Sequence, residues 1–175
     1  GTFDDVNAIA KIAVNTHLAG AAGVVTGAAL TRLIGGKTDI IMMLNGALAG
    51  LVAITAEPLT PTPITAMVIG SIGAAIMYYG TKLLEHLRLD DVVGAIPVHL
   101  FAGIFGTLVV PFTNTDTSFG TQFLGTTSVC VFSFVFSYFV FRLMKETTGL
   151  RISKAAEKLG TDKAEIGVAA YSIRD

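Results

Sequence analysis

Five stretches of this chain contain no Asp, Glu, Lys or Arg at all: Ile12–Thr31, Ile40–Ala56, Pro58–Thr81, Val92–Thr115 and Thr117–Phe141. Four of them exceed the roughly 18 residues expected of a membrane-crossing helix, and the second falls just short. Lipid offers backbone groups no hydrogen bonds, and a helix satisfies its own, so such windows predict a helical membrane bundle. Composition agrees. Only 14% of residues are charged and mean hydropathy is +0.68, against roughly 25% charged in a soluble domain. A net charge of −1 excludes nucleic acid as a partner held by bulk charge. The single cysteine, Cys130, lies inside an apolar run, which rules out a disulfide framework and a cysteine metal site.

The spacing predicts helices over about 12–31, 40–56, 62–82, 92–112 and 117–144, a bundle occupying residues 1–145, and a polar tail over 146–175. The connections alternate in charge. Arg32 and Lys37 follow the first helix, Lys82 and Arg88 the third, and Arg142, Lys145, Arg151, Lys154, Lys158, Lys163 and Arg174 the fifth. The other two connections hold Glu57 and Asp116 and no base, and Lys11 alone falls on their side. Basic residues mark the cytoplasmic face, so the N-terminus is expected outside and the C-terminus inside. That arrangement needs an odd number of crossings, and five is odd. The acidic start Gly1-Thr2-Phe3-Asp4-Asp5 lacks the basic region of a signal peptide. A chain that opens so abruptly is expected to be the later part of something longer.

The stretch Asp90–Leu108 carries the most chemistry. Two carboxylates, Asp90 and Asp91, lead into an uncharged run with one ionisable residue, His99, eight positions in. At about 1.5 Å per residue that places the imidazole roughly 12 Å below the charged edge. An ionisable group at such depth usually faces a pathway or a polar partner, and imidazole is suited to handling protons near neutral pH. The plainer alternative is a histidine hydrogen-bonded between helices. Pro97, two residues earlier, frees a backbone carbonyl about a turn before it, which a neighbour or water must satisfy.

Other residues read more simply. His17 would be a solute contact in an outer vestibule, although its position only about five residues from the edge fits an interfacial or interhelical polar group better. Gly23-xxx-Gly27 and Gly46-xxx-Gly50 are close-approach patterns of membrane helices. The second helix is small in side-chain volume and reads as an interior element, with Asn45 an interhelical hydrogen bond. Pro58, Pro61 and Pro63 keep the following loop out of helix. In the fifth helix Phe132, Phe134, Phe136, Tyr138, Phe139 and Phe141 crowd every side, as on a lipid-facing or subunit-facing wall.

Asp90–Leu108, with its aspartate pair, Gly94-Ala95-Ile96-Pro97-Val98-His99 and Gly-rich continuation, resembles the penultimate helix of the ammonium transporter (Amt/Mep/Rh) family. Asn15-Thr16-His17-Leu18-Ala19, Asn45–Val52, Gly149-Leu150-Arg151-Ile152-Ser153 and Gly160–Tyr171 also resemble family segments, in order and at the right spacing. The resemblance implies an all-α polytopic membrane protein. Its five helices would match the second inverted repeat plus the final helix of an eleven-helix transporter, with the solute route at the repeat interface.

The resemblance further implies transport of ammonium, ammonia or methylammonium through the bilayer of the cell membrane, no enzymatic step, no cofactor and no metal. Ammonium would be held at an outer aromatic site, lose its proton there because a bare charge is costly in the apolar constriction, and pass as ammonia, with or without the proton. His99 would be the inner of two pore imidazoles; the first histidine and the outer aromatic site belong to helices that this chain lacks. A homotrimer is implied, with Gly149, Arg151 and Asp162 in a regulatory tail that meets a PII-type regulator or a fused signalling domain. Ile166, Val168 and His17 depart from the family's usual residues, and the first two weigh against such regulation. The alternative within the same fold is an ammonium-sensing receptor domain signalling through its C-terminal end.

Overall fold

Two helix starts are set by side chains that capture orphan backbone N–H groups. Asp39 Oδ1 accepts from the Met42 N–H at 3.1 Å and opens α2, Ile40–Thr55. Thr62 Oγ1 accepts from the Thr65 N–H at 3.2 Å and opens α3, Pro63–His86. Pro63 takes the first position of α3, where its missing N–H costs nothing. In the computed structural model, which describes residues 3–170, α1 covers Phe3–Gly35. After α3 a π-turn over Ile96–Phe101 runs into α4, Ala102–Val109, and a 3-10 turn over Val110–Phe112. α5 covers Phe119–Thr147, α6 covers Lys154–Leu159, and a second π-turn covers Asp162–Ile166. The fold is all-helical, with no strand among the described residues. Tyr171 and Arg174, named above, lie outside those residues.

By length and composition, α1 from Val6, α3 and α5 are apolar and long enough to cross a membrane; α2 and the run Ile96–Phe112 are apolar but shorter. The chain divides into two compact units, residues 1–127 and 128–175, with the division inside α5.

The first unit is built on backbone contact. Asn15, Ala19, Gly23, Gly27 and Thr31 recur every fourth position along α1 and are all buried, giving one stripe of small side chains. α2 lies directly on that stripe. A methyl group on Gly23 would collide with the Gly46 carbonyl, and one on Gly46 with the Gly23 carbonyl. α3 joins the same contact, since a Cβ on Gly70 would strike the Ala19 backbone. Helices that lack bulky side chains can approach until dispersion between backbones holds them, which suits an environment with no hydrophobic drive between helices. Two apolar clusters complete the unit. One gathers Ala19, Ala53, Ile54, Ala66 and Ile69, with Phe105 and Val109 against it. The other gathers Ala49, Met77, Val98 and Ala102.

Proline carbonyls in the 57–63 loop are pinned from below. Asn15, fully buried, donates through Nδ2 to the carbonyls of Pro58 and Pro61, each at 2.9 Å. Glu57 accepts from the Leu59 and Thr60 N–H groups, and Asn114 Nδ2 donates to its other oxygen at 3.0 Å.

In the second unit, α5 ends at Gly149 (φ 80°), whose N–H donates to the Met144 carbonyl at 2.8 Å. A positive φ there is what a helix stop of this kind requires, and glycine adopts it without strain. Arg151 and Glu157 form an ion pair at 2.6 Å, and the Ser153 hydroxyl caps α6.

Candidate functional site

The π-turn that carries His99 is assembled by three separate devices. The first is a carboxylate: Asp91 Oδ1 accepts from the Ala95 N–H and Oδ2 from the Ile96 N–H, both at 2.8 Å. Charge-assisted bonds to the first N–H groups of a helix are among the stronger caps available. The second is Gly94, at φ 75°, which reverses the chain so that helix begins only at Ile96 and not at Val92. The third is Asn45 on α2, whose Nδ2 donates to the Val93 carbonyl at 3.0 Å.

The position of Val93 explains the third device. Its carbonyl lies before the Gly94 reversal and outside the helix that starts at Ile96, so no helical N–H reaches it. Asn45 is the neighbour that satisfies it. The amide thus bonds to the segment leading into the broken helix, which makes the interhelical reading of Asn45 concrete. Pro97 itself occupies the opening turn of the helical run, where proline is tolerated, so it starts this helix and does not kink it.

The turn has two faces. Pro97 and Val98 are buried, Val98 within the cluster of Ala49, Met77 and Ala102. A Cβ on Gly80 would press on Pro97 and Phe101, so α3 fits closely here. His99 and Leu100 point the other way and are exposed on the surface of the first unit. The wider π-turn is a form often found at functional positions in helices. At its end the Ala102 N–H donates to the His99 and Pro97 carbonyls together. A hollow of about 180 Å³ flanks the capped start, lined by Asp90, Asp91, Gly94, Pro97, Thr81 and Glu85 among others; His99 is not part of its wall.

The remaining sequence-predicted residues stand apart. His17 is exposed on α1, its Nδ1 2.7 Å from the Ala13 carbonyl oxygen, a contact that requires Nδ1 to carry the proton. No hydrogen bond among the described residues links it to His99. In the second unit Arg151 is engaged with Glu157. Asp162 Oδ2 accepts from the Ala170 N–H at 2.8 Å. That bond, helped by the Lys163 N–H, holds the Asp162 carboxyl below the usual carboxylate range. Among the described residues no three His, Cys, Asp or Glu side chains are grouped to hold a metal. The sequence reading assigns Asp91 no task. Its signal was present, since a carboxylate shortly ahead of a proline-bearing helix start is a capping pattern.

Comparison with known proteins adds to this picture. Residues 1–171 match the model of the Ammonium Transporter Family. The chain is 39% identical to ammonium transporter Amt2 of Archaeoglobus fulgidus, covering 93% of this chain and 39% of that one. It is 31% identical to ammonium transporter Amt1 of Methanocaldococcus jannaschii, covering 94% and 43%. Among solved structures, a sensor Amt protein superposes with a TM-score of 0.84 at 30% identity, covering 90% of this chain and 42% of that one. Mep2 of Candida albicans does so with 0.77 at 26%, covering 90% and 39%. This chain therefore spans about two fifths of the length of the curated relatives it matches. It belongs to the ammonium transporter family.

Proposed function

We propose that this chain forms one half of a conducting path for ammonium, with His99 as an imidazole lining it. One observation carries the reading. In a chain two fifths the length of its relatives, the single histidine of the apolar core stretch sits on an exposed face, while its neighbours Pro97 and Val98 are buried. A face built with such care and left uncovered is where the rest of a full-length transporter would close the path. Ammonium loses its proton at the outer mouth, because transferring the ion into the constriction is costly. Ammonia then moves along the imidazoles, with or without the proton. The named relatives are transporters, and the chemistry needs no covalent step and no cofactor. The chain lies in the cell membrane with residues 1–145 as the bundle, its N-terminus outside, and residues 146–175 as a cytoplasmic tail. It works as a homotrimer, and the tail with Gly149, Arg151 and Asp162 is the surface for a PII-type regulator or a fused signalling domain, with Ile166 and Val168 weighing against the regulator. His17 is an interfacial polar group near the outer end of the bundle, beside the outer vestibule.

The test is methylammonium uptake and proton-coupled current in cells carrying the full-length protein. His99→Ala should lower flux on the order of a hundredfold, the usual worth of a positioned proton-transfer group, while the oligomer still assembles. Undiminished, still proton-coupled flux would remove the role given to His99. A second reading, an ammonium sensor, is favoured by the superposition on a sensor Amt protein. A coiled coil leading to a kinase or cyclase beyond Asp175, together with negligible uptake by the intact protein, would decide for it.

A further inference from the structure

We infer that Asn45 is a positioning residue for His99: by holding the Val93 carbonyl, which lies just before the helix start and has no helical donor, its amide sets where the π-turn begins and so where the imidazole points. The inference rests on the transport reading and deepens it. Asn45 is well placed for the task because α2 cannot shift beneath it. Its neighbour Gly46 lies in backbone contact with Gly23 of α1, so the amide projects from a fixed rail. On the far side, Gly94 sits so near that a Cβ on it would come 2.7 Å from Asn45 Nδ2. The amide therefore fills the space against the reversed backbone as well as bonding to it.

Among the described residues, the other side-chain hydrogen bonds at the start of the turn come from within its own segment, from the Asp91 carboxylate. That cap fixes the first N–H groups relative to Asp91 but not relative to the bundle. Burial of Pro97 and Val98 anchors one face. Those contacts fix the segment from its buried side and leave its opening end, before Ile96, to be fixed by polar bonds. The bond from Asn45 to Val93, across 48 positions of sequence, is the polar tie between the segment's start and a neighbouring helix. An imidazole two residues past Pro97 moves with that start. A misplacement of about 1 Å is enough to cost a reaction step heavily.

The experiment measures methylammonium uptake per transporter in the membrane of cells expressing the full-length protein, as turnover and apparent KM separately. Asn45→Leu keeps the side chain's size and removes the donor. Turnover should fall roughly three- to tenfold, the loss expected for one hydrogen bond, with KM changed less than about twofold because solute is captured elsewhere. Asn45→Gln retains an N–H donor and should recover at least half of the loss, which mere filling of space would not require. His99→Ala is run in parallel. If it abolishes flux while Asn45→Leu turns over like the wild type, or Asn45→Gln is no better than Asn45→Leu, the positioning role is wrong and the transport reading stands. If His99→Ala transports normally, the transport reading fails and the positioning role with it. A changed preference between methylammonium and ammonium in Asn45→Leu would make the amide a solute contact, which also overturns the inference.

Discussion

Helices α2 and α5 are both apolar, α2 wholly inside an uncharged window and α5 inside one as far as Phe141, yet they differ in how much of themselves they bury. α2 buries Gly46, Ala49, Gly50, Ala53 and Ile54 against its neighbours, whereas α5 buries no residue. Side-chain volume is what decides the close contacts. α2 presents glycine and alanine at the positions where another backbone must come near. α5 presents Phe132, Phe134, Phe136 and Phe139, all exposed, with rings stacked along its own surface, as between Phe132 and Phe136 at 5.9 Å. Small residues make a helix that other helices can touch; aromatic ones make a surface that suits lipid chains or a complementary partner. Membrane helices are thus sorted into interior and wall by shape, because lipid is as apolar as leucine.

The largest expected effect tests that contrast directly. Gly46→Val places a Cβ 2.6 Å from the Gly23 carbonyl oxygen and adds two methyl groups to it, and backbone on both sides cannot yield as a flexible side chain would. We expect about 3 kcal/mol of destabilisation or more, seen as loss of monodisperse protein after detergent extraction and heating. Phe136→Ala on α5 removes far more volume but should shift the melting temperature much less if that face meets lipid. A comparable loss for the two would break the comparison and show that the aromatic face is packed against protein in the full-length transporter.

Asn15 sharpens the same contrast at one end of the bundle. It is a polar residue at the first position of the small-residue stripe, fully buried, and its Nδ2 serves two proline-loop carbonyls at once. Asn15→Ala keeps the stripe small and removes only the donors. The carbonyls of Pro58 and Pro61 then lose their partner, at a cost of about 2 kcal/mol. Part of that is regained because the buried Oδ1, itself without a hydrogen-bond partner among the described residues, goes too. Urea or thermal unfolding of Asn15→Ala beside Asn15→Asp separates the two contributions. The aspartate keeps the orphan acceptor and loses the donor, and it should be the less stable variant. The reverse order would mean that the loop is not held by this amide.

How much of this could be read from the residues varies by kind of signal. Charge-free windows located the apolar helices because exclusion of charge is a bulk property that survives without neighbours. The Gly-xxx-Gly spacings pointed to the close contacts, since Gly23 and Gly46 have no other use in an apolar helix. Pro97 suggested a freed carbonyl inside a helix, but it stands in the opening turn, where its missing N–H frees none, and the carbonyl that Asn45 takes, Val93, lies before the helix start. The identity of its partner was out of reach, because a bond from Asn45 to residue 93 depends on how α2 passes the loop. The late helix start at Ile96 was hidden for the same reason. Val92 and Val93 are as apolar as the helix that follows, and only the left-handed backbone of Gly94 with the Asp91 cap shows that they lie before it. His99 was recognisable as chemistry from its depth in an uncharged run, but its facing outward from the first unit follows from which side Pro97 and Val98 are drawn to.

The smallest expected effect lies in the tail, where order rests on hydrogen bonds to an exposed carboxylate and not on close backbone packing. The Asp162 carboxylate closes the turn through residues 160–170 by accepting from the Ala170 N–H at 2.8 Å, and the Val168 N–H donates to the Asp162 main-chain carbonyl at 3.3 Å. The Ala170 bond is the main reason the carboxyl is held below its ordinary value. A lowered value in the closed turn means that the closed form binds fewer protons than the open one. Its contribution is therefore complete above the ordinary carboxylate value, about 3.9, and is lost as pH falls through the lowered value of the closed turn. Hydrogen exchange at the Ala170 amide, corrected for its intrinsic pH dependence, should show constant protection from about pH 5 to 8 and a decline only below the ordinary carboxylate range. Asp162→Asn keeps a neutral acceptor and should show weaker protection with no such decline, and Asp162→Ala should show none. If the wild-type amide already lost protection near pH 6, this carboxylate would not be what holds the turn closed. In the bundle, by contrast, backbone contacts between glycines carry no proton, and amides along α2 should keep their protection across the same range.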